Sequence, residues 1–307
     1  MGEGLGPSLG ALEARWGRTG AVCFAERYGG PAVLLQAGGA SAMVALQGAQ
    51  VLSYQPRGQA EALWLSPMAS LGTGKVVRGG VPVCWPWFGP HPSDQTKPAH
   101  GFVRAKPWSV AGSAATSESA RLVLVYDAVP NLDAGWPHRA LAEIEITLAE
   151  TLKISLSTEN RGAGDLELTQ ALHTYLAVGD IGAVTIDGFV GQPYVDQLAP
   201  GRPGPMRVED VPVRVISEVD RIYQDCEGPV IVIDEKNARR IRVAKTGSRS
   251  TVLWNPWIEK SARLGDMGAD GYRHMLCVEA ANAGNDKVTL AHGERHRLMT
   301  ELSVTNI

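Results

Sequence analysis

The chain has 307 residues, of which 44% are hydrophobic and 20% charged, and its formal net charge at pH 7 is −3. This composition is too apolar for a disordered chain, and the lack of a basic excess argues against a nucleic-acid partner. No stretch approaches the ~18 uninterrupted apolar residues of a membrane helix, and the opening residues lack the basic start and apolar run of a secretory signal.

Short segments of strand-forming residues recur along the chain, with 35 glycines and 19 prolines scattered between them. Turn signals at this density interrupt helices and are typical of many short strands. Only residues 9–16 have the apolar spacing of a helix. The predicted strands are, in chain order, residues 32–35, 41–46, 122–126, 142–148, 152–157, 184–186, 211–216, 230–234, 241–244 and 250–254.

Two of these segments, 142–148 and 152–157, alternate between apolar and polar residues, and the three residues between them predict a hairpin. Strands with one apolar face must bury that face against a second sheet. The pattern therefore predicts an all-β fold, a large antiparallel β-sandwich. We find no internal repeat and no linker, and the proline- and glycine-rich residues 199–205 are predicted as a loop, so we expect a single domain spanning residues 1–307.

The first chemically unusual segment is residues 76–90, which carry three aromatic side chains within four positions and are rich in proline and glycine. Such a segment could form a wall against which a sugar ring stacks, although a core-packing loop would have the same composition. Arg78 and Arg104 bracket this region. A guanidinium group matches phosphate or carboxylate well, but an isolated arginine is more often a solvated surface group.

The second unusual region is residues 168–178, where alternation places His173 and Tyr175 on one face beside small residues. This leaves room for a ligand, although most histidines on such strands have only a structural role. Glu279 interrupts an apolar strand at 275–282, and burying it requires either an ion-pair partner or a cavity that raises its pKa. Asp220 is less distinctive, and a surface salt bridge with a nearby arginine would explain it.

The motifs of several other chemistries are missing from the sequence. There is no H-x-H or H-E-x-x-H pair, and the four cysteines lie far apart without a C-x-x-C spacing, so no metal site is predicted. Neither nucleotide-binding glycine motif is present, nor is the G-x-S-x-G turn of serine hydrolases. The cysteine usage is consistent with reduced thiols in a cytoplasm.

Six sequence blocks resemble, in order, those of the hexose-6-phosphate mutarotases (glucose-6-phosphate 1-epimerases) of the aldose 1-epimerase superfamily. They are VRGGVPVCWPWFGP at 77–90, PAHGFVR at 98–104, ALHTYLAV at 171–178, EVDRIY at 218–223, WNPWIEK at 254–260 and CVEAANA at 277–283. The resemblance implies a galactose-mutarotase-like β-sandwich, in agreement with the strand pattern.

The resemblance also implies roles for six residues. His173 matches the general acid that acts on the ring oxygen, and Glu279 matches the general base that acts on the anomeric hydroxyl. The implied substrate-binding residues are Arg78 and Arg104 for the phosphate, His100 for holding the sugar, and Asp220 for a hydrogen bond to it. Neither a metal nor another cofactor is implied.

We therefore predict a cytoplasmic, monomeric hexose-6-phosphate 1-epimerase whose partner is its small-molecule substrate, with neither nucleic acid nor membrane involved. One alternative is a mutarotase for unphosphorylated aldoses, against which the two arginines argue. Another is a non-catalytic carbohydrate-binding module, which would not need His173 and Glu279 together. A glycoside hydrolase is disfavoured because it requires two carboxylates, and the blocks contain one that is well placed.

Overall fold

The computed structural model describes residues 7–72, 74–200 and 204–307. Strands make up most of its regular structure, as the sequence predicted. They are β1 (Val22–Arg27), β2 (Gly30–Ala37), β3 (Ala40–Ala45), β4 (Val51–Gln55), β5 (Val83–Cys84), β6 (Ser109–Ala115), β7 (Ala120–Ala128), β8 (Ala140–Leu148), β9 (Leu152–Asn160), β10 (Leu166–Leu168), β11 (Gln170–Leu172), β12 (Tyr175–Ala177), β13 (Val184–Asp187), β14 (Pro193–Asp196), β15 (Met206–Val208), β16 (Val219–Tyr223), β17 (Val230–Asp234), β18 (Arg239–Thr246), β19 (Ser250–Asn255), β20 (Met275–Asn282), β21 (Val288–Leu290) and β22 (Arg295–Asn306). The helices are α1 (Leu9–Trp16) and α2 (Trp257–Arg263), with 3₁₀ turns at Val103–Ala105, Ile181–Ala183, Glu235–Asn237 and Gly271–His274.

Two eight-stranded antiparallel sheets form the sandwich. The first, called the site sheet below, has the order β15-β14-β16-β19-β20-β11-β5, with β12 also paired to β20. The second, called the backing sheet, has the order β13-β17-β18-β22-β9-β8-β7-β6. Strands β11 and β20 of the site sheet contact β22 of the backing sheet. A four-stranded sheet, β1 to β4 in order, contacts β7 and β8. The predicted antiparallel β-sandwich is confirmed.

The alternating segments account for the core of the backing sheet. In β8, Ile144 and Ile146 are fully buried, whereas Glu143 and Glu145, which alternate with them, are partly exposed. The predicted hairpin is present, since β8 pairs directly with β9 across residues 149–151. Each buried isoleucine stabilises the fold by about 1.5–3 kcal/mol relative to an exposed one.

One predicted strand, residues 211–216, is wrong. This segment is irregular, and its only ladder contact is an isolated bridge from Val213 to Ile186. Pro212 cannot donate a backbone hydrogen bond, which disfavours a strand interior, and Ile216 is 81% exposed. The predicted helix over 9–16 is present as α1, and its first turn is capped by the Ser8 side chain.

Part of the chain that carried predictions lies outside the described residues. This applies to residues 201–203 of the predicted loop at 199–205, and to residues 1–6, where the search for a secretory signal began. The strands on either side of that loop, β14 and β15, pair with each other. Within the described ranges, no helix combines the length and apolarity needed to cross a membrane.

Candidate active site

The centre of the site sheet presents one face built from directly opposed residues. Val252 lies opposite Glu279, and Trp254 lies opposite Cys277, in the pairing of β19 with β20. Asp220 of β16 lies opposite Trp254. Opposed residues of antiparallel strands point to the same side of a sheet. These five side chains therefore share a face, while the alternate residues of β20 point into the core between the sheets.

His173 lies between β11 and β12, where the alternating segment at 168–178 is interrupted. Its backbone N–H donates to the carbonyl of Pro82 at 3.0 Å. Because β11 and β12 both pair with β20 in one continuous register, His173 falls opposite Glu279. The sheet register thus brings together two residues that are far apart in the sequence.

All six residues assigned from the sequence line one cavity of about 350 Å³. This volume is within the range of small-molecule sites, ~300–1,000 Å³. The six are Arg78, His100, Arg104, His173, Asp220 and Glu279. A second cavity of about 570 Å³ lies between surface turns, and the residues that line it carry no titratable side chain. The cavity on the site sheet is the one that brings His100, His173 and Glu279 together.

His173 and Glu279 form a buried pair. Nε2 of His173 lies 3.3 Å from Oε1 of Glu279, and the two residues are only 8% and 1% exposed. The remaining polar atoms, Nδ1 of His173 and Oε2 of Glu279, have no hydrogen-bond partner among the described residues. Each unsatisfied buried group costs about 1–3 kcal/mol, and such groups in native proteins are often functional.

Burial sets the protonation preference of this pair. It raises the pKa of Glu279 well above the ordinary value, and the negative charge of Asp220 raises it further. Burial lowers the pKa of His173 well below its ordinary value, and the nearby His100 ring and the positive charges of Arg104 and Arg78 act in the same direction. The empty pocket therefore favours a protonated carboxyl beside a neutral imidazole.

His100 is held by a tight loop. The next residue, Gly101, has φ +76°, and a Cβ there would lie 1.8 Å from the carbonyl oxygen of Trp85, so only glycine fits. The backbone N–H of Gly89 donates to Nδ1 of His100 at 3.3 Å, which leaves the ring hydrogen of the neutral imidazole on Nε2. Burial and the pocket arginines lower the pKa of His100 to about 3, so the ring is neutral.

The two arginines are held in different ways. Nε of Arg78 donates to Oδ1 of Asp266 at 2.7 Å, and Nη1 lies 3.5 Å from the hydroxyl of Tyr175. Nη2 of Arg104 donates to the carbonyl of Ala99 at 2.5 Å, whereas its buried Nε has no partner among the described residues. Sequence reasoning missed Asp266, because it lies in no motif and meets Arg78 only through the fold.

A third cation, Lys260, also lines the cavity. Its Nζ lies 2.8 Å from Oε1 of Glu218 and 3.8 Å from Oδ2 of Asp220. Asp220 is therefore not a simple surface partner of Arg221, which pairs with Glu209 instead. Lys260 is the last residue of the sequence block WNPWIEK at 254–260. Its place in that block was the only sequence feature that pointed to it.

Aromatic side chains surround the pair. The rings of His173 and Tyr175 stack with centroids 4.7 Å apart, and Tyr175 stacks in turn on Trp64. The shared face that alternation predicted for His173 and Tyr175 is thus present. Of the three aromatic side chains in the segment 76–90, Phe88 is the one that lines the cavity. Trp85 and Trp87 are core residues, so the sugar-wall interpretation holds only for Phe88.

The fold itself is that of the galactose mutarotase-like proteins. A solved structure of such a protein from Clostridium acetobutylicum is similar with a TM-score of 0.72 and 14% identity, covering 93% of this chain and 98% of that one. At this identity the likeness concerns the fold alone. The fold therefore places the chain in the class of galactose mutarotase-like β-sandwich proteins.

The aldose 1-epimerase family model matches residues 31–303, and the chain belongs to this family. A "Putative glucose-6-phosphate 1-epimerase" of Escherichia coli (strain K12) is 37% identical over 254 residues, which span 81% of this chain and 82% of that protein. A protein of the same name from Cenchrus ciliaris is 31% identical over 282 residues, 88% of this chain and 83% of its own. The crystal structure of a "putative mutarotase (YeaD)" from Salmonella typhimurium matches with a TM-score of 0.86 and 30% identity, covering 94% and 95% of the two chains. The family and enzyme class expected from the six blocks are confirmed.

Proposed function

We propose that this protein interconverts the α and β anomers of a hexose 6-phosphate, with glucose 6-phosphate as the first candidate. The observation that carries this proposal is the buried contact of 3.3 Å between His173 and Glu279 in a cavity that also contains Arg78 and Arg104. The names of the relatives from Escherichia coli and Cenchrus ciliaris support the choice of substrate.

The reaction needs two proton transfers, one for each member of the pair. Glu279 takes the proton from the anomeric hydroxyl, while protonated His173 gives a proton to the ring oxygen. The bond between C1 and the ring oxygen breaks and leaves an open-chain aldehyde. Rotation about C1–C2 presents the other carbonyl face, and the same transfers in reverse close the ring. Each transfer by a positioned group contributes ~10²–10⁴-fold to the rate.

Burial of the pair favours the ring-opened state. Once the ring has opened, Glu279 holds a proton and His173 has lost one, and this neutral pair is the form that a desolvated site prefers. The protonation of His173 that starts the reaction is opposed by the positive charges of Arg78 and Arg104. A phosphate dianion bound to these arginines would offset their charge, so a phosphorylated sugar would favour protonation of His173.

Phosphate binding is assigned to Arg78 and Arg104. Asp266 engages the Nε of Arg78, and Nη1 makes only a long contact of 3.5 Å with the Tyr175 hydroxyl, so further N–H groups of the guanidinium remain for a ligand. Arg104 contributes a buried Nε that has no partner among the described residues. Charge-assisted hydrogen bonds of this kind are worth about 1.5–3 kcal/mol each.

The substrate assignment can be tested by comparing kcat/KM for α-glucose 6-phosphate and for α-glucose, using wild type, Arg78→Ala and Arg104→Ala. We expect wild type to prefer the phosphorylated sugar. Each substitution should lower kcat/KM for that sugar by about ten- to a hundredfold, in line with the loss of one charge-assisted contact. Arg121→Ala, which alters a partly exposed arginine on the backing sheet, is the control. Equal preference for the two sugars in wild type would instead favour a mutarotase for unphosphorylated aldoses.

A further inference from the structure

Three potential metal ligands meet on the pocket face of the site sheet. They are His173, Cys277 and Glu279, and one ligand atom from each lies within 4.8 Å of the others. All three residues are buried. The sequence contains no spacing motif that indicates this cluster, because His173 is about a hundred residues away from Cys277 and Glu279 along the chain.

The register of the sheet fixes this arrangement. Cys277 and Glu279 are two positions apart on β20, so they point to the same side. His173 lies across from Glu279 in the continuous register of β11 and β12 with β20. The three ligands are therefore held by paired strands, which position a site more firmly than loops do.

The distance between the ligand atoms of His173 and Glu279 suits a tetrahedral ion. Zinc binds imidazole nitrogen and carboxylate oxygen at about 2.0–2.2 Å, which places two such ligands about 3.4 Å apart in tetrahedral geometry. Nε2 of His173 and Oε1 of Glu279 are separated by 3.3 Å. The second oxygen of Glu279 has no hydrogen-bond partner among the described residues, so it too is free to face an ion.

The charge balance also suits a divalent cation. The ion would displace the protons of the Cys277 thiol and the Glu279 carboxyl into solvent. The resulting thiolate and carboxylate together neutralise two positive charges, and a neutral imidazole adds none. The occupied cluster would thus be electrically neutral, which limits the cost of burying an ion. Since His173 and Glu279 line the cavity, an ion can enter, and a water or a sugar hydroxyl can supply the fourth ligand.

We propose that His173, Cys277 and Glu279 bind a zinc-class divalent cation, and that this ion inhibits the enzyme. Thiolate and imidazole ligands select borderline-soft ions such as Zn²⁺ over Mg²⁺ and Ca²⁺. The ion would occupy the imidazole nitrogen and the carboxylate that move protons in the reaction, so metal binding and catalysis exclude one another. The inhibition rests on the proposed function, whereas the binding does not.

The binding is tested with chelator-treated protein titrated with Co²⁺ and Zn²⁺. Wild type should take up one ion per chain, and Co²⁺ should produce the near-ultraviolet absorption band of a cobalt–thiolate bond. Cys277→Ser should abolish that band and weaken Zn²⁺ binding by about tenfold or more. Cys226→Ser, which alters another buried cysteine that is not part of the cluster, should behave like wild type. Cys277→Ala provides a second variant if the serine variant does not fold.

Inhibition is tested in the same samples by anomer exchange of glucose 6-phosphate. Zn²⁺ should slow the wild-type reaction over the concentration range in which it binds, EDTA should restore the rate, and Cys277→Ser should resist inhibition. A missing thiolate band, or Zn²⁺ binding equal in wild type and Cys277→Ser, would overturn the site. Binding through Cys277 without inhibition of an active enzyme would overturn the regulatory part. Binding in a protein with no epimerase activity would uphold the site and reject the proposed function.

Discussion

Glu279 is 1% exposed, and among the described residues its carboxyl group has one ion-pair partner, the imidazole of His173. Water cannot solvate either charged form well, so each group is poised by its environment to exchange a proton with its neighbour or with a ligand. His100 differs from this pair, because its Nδ1 accepts a backbone hydrogen bond and its ring remains neutral. At the residue scale, the site combines one proton-exchanging pair with a fixed neutral donor.

Glu279→Gln should lower turnover by about 10²-fold or more, the scale of a lost general base, while preserving the fold. It should also change the pH dependence of stability. The raised pKa means that folded Glu279 keeps a proton that the unfolded chain releases above about pH 4.5, so this residue costs stability as pH rises. The variant should therefore gain stability relative to wild type from pH 5 to pH 8, as measured by urea unfolding. Glu145→Gln on the backing sheet is the control, and near-normal turnover would remove Glu279 from the mechanism.

His100→Asn should make the protein less sensitive to acid. Between about pH 6.5 and pH 3 the unfolded chain protonates this histidine, whereas the fold keeps it neutral. Stability therefore falls with falling pH, by up to about 1.4 kcal/mol per pH unit. Asparagine tolerates the positive φ of this position, so the variant should fold. Urea unfolding midpoints measured from pH 7 to pH 4 give the slope of stability against pH. The control is His292→Asn, which alters an exposed histidine. An unchanged slope would mean that His100 is protonated in the folded protein.

At the scale of elements, a buried polar chain links the two sheets behind the site. The amide of Gln170 on β11 donates to Oδ1 of Asn282 on β20 at 3.0 Å, and these residues are directly opposed in the ladder. Thr158 of the backing sheet donates to the amide oxygen of Gln170 at 3.4 Å, and Trp85 donates to Thr158 at 3.0 Å. This chain fixes the register that sets His173 opposite Glu279.

Gln170→Leu should therefore cost both stability and activity. The substitution removes one hydrogen bond from Asn282 and one from Thr158. Each lost bond should lower the free energy of unfolding by about 0.5–1.5 kcal/mol, because His296 still contacts Asn282 and Trp85 still donates to Thr158. A double-mutant cycle with Asn282→Leu, followed by urea unfolding, should give a coupling energy of about 0.5–3 kcal/mol. Strictly additive effects would show that the pair does not hold the register. Turnover in the single variant should fall without a matching change in KM.

The sequence predicted those elements whose pattern is local. Residues 142–148 alternate cleanly and form β8, whereas residues 211–216 are also apolar but contain Pro212 and form no strand. The six site residues were found through the resemblance together with the cost of burying a carboxylate such as Glu279. Asp266 and the clustering of Cys277 with His173 were not found. Both depend on loop paths and strand register, which one sequence does not reveal.

At the scale of the whole molecule, the sandwich supplies a stable base for the face of the site sheet that carries His173 and Glu279. Alternate residues of β20 serve the core between the sheets and the pocket, so the same strand supports the fold and carries Glu279. The cations at the pocket suit an anionic sugar, and the proton-exchanging pair suits ring opening. The central claim is that these features together make an anomer-exchanging enzyme.

The most direct test is exchange NMR of α- and β-glucose 6-phosphate, recorded with and without the protein in the presence of EDTA. We predict that wild type accelerates exchange between the anomers in EDTA and that His173→Asn and Glu279→Gln lose this acceleration. Binding of glucose 6-phosphate to wild type without any acceleration would contradict the central claim and would instead identify a sugar-binding protein on this fold.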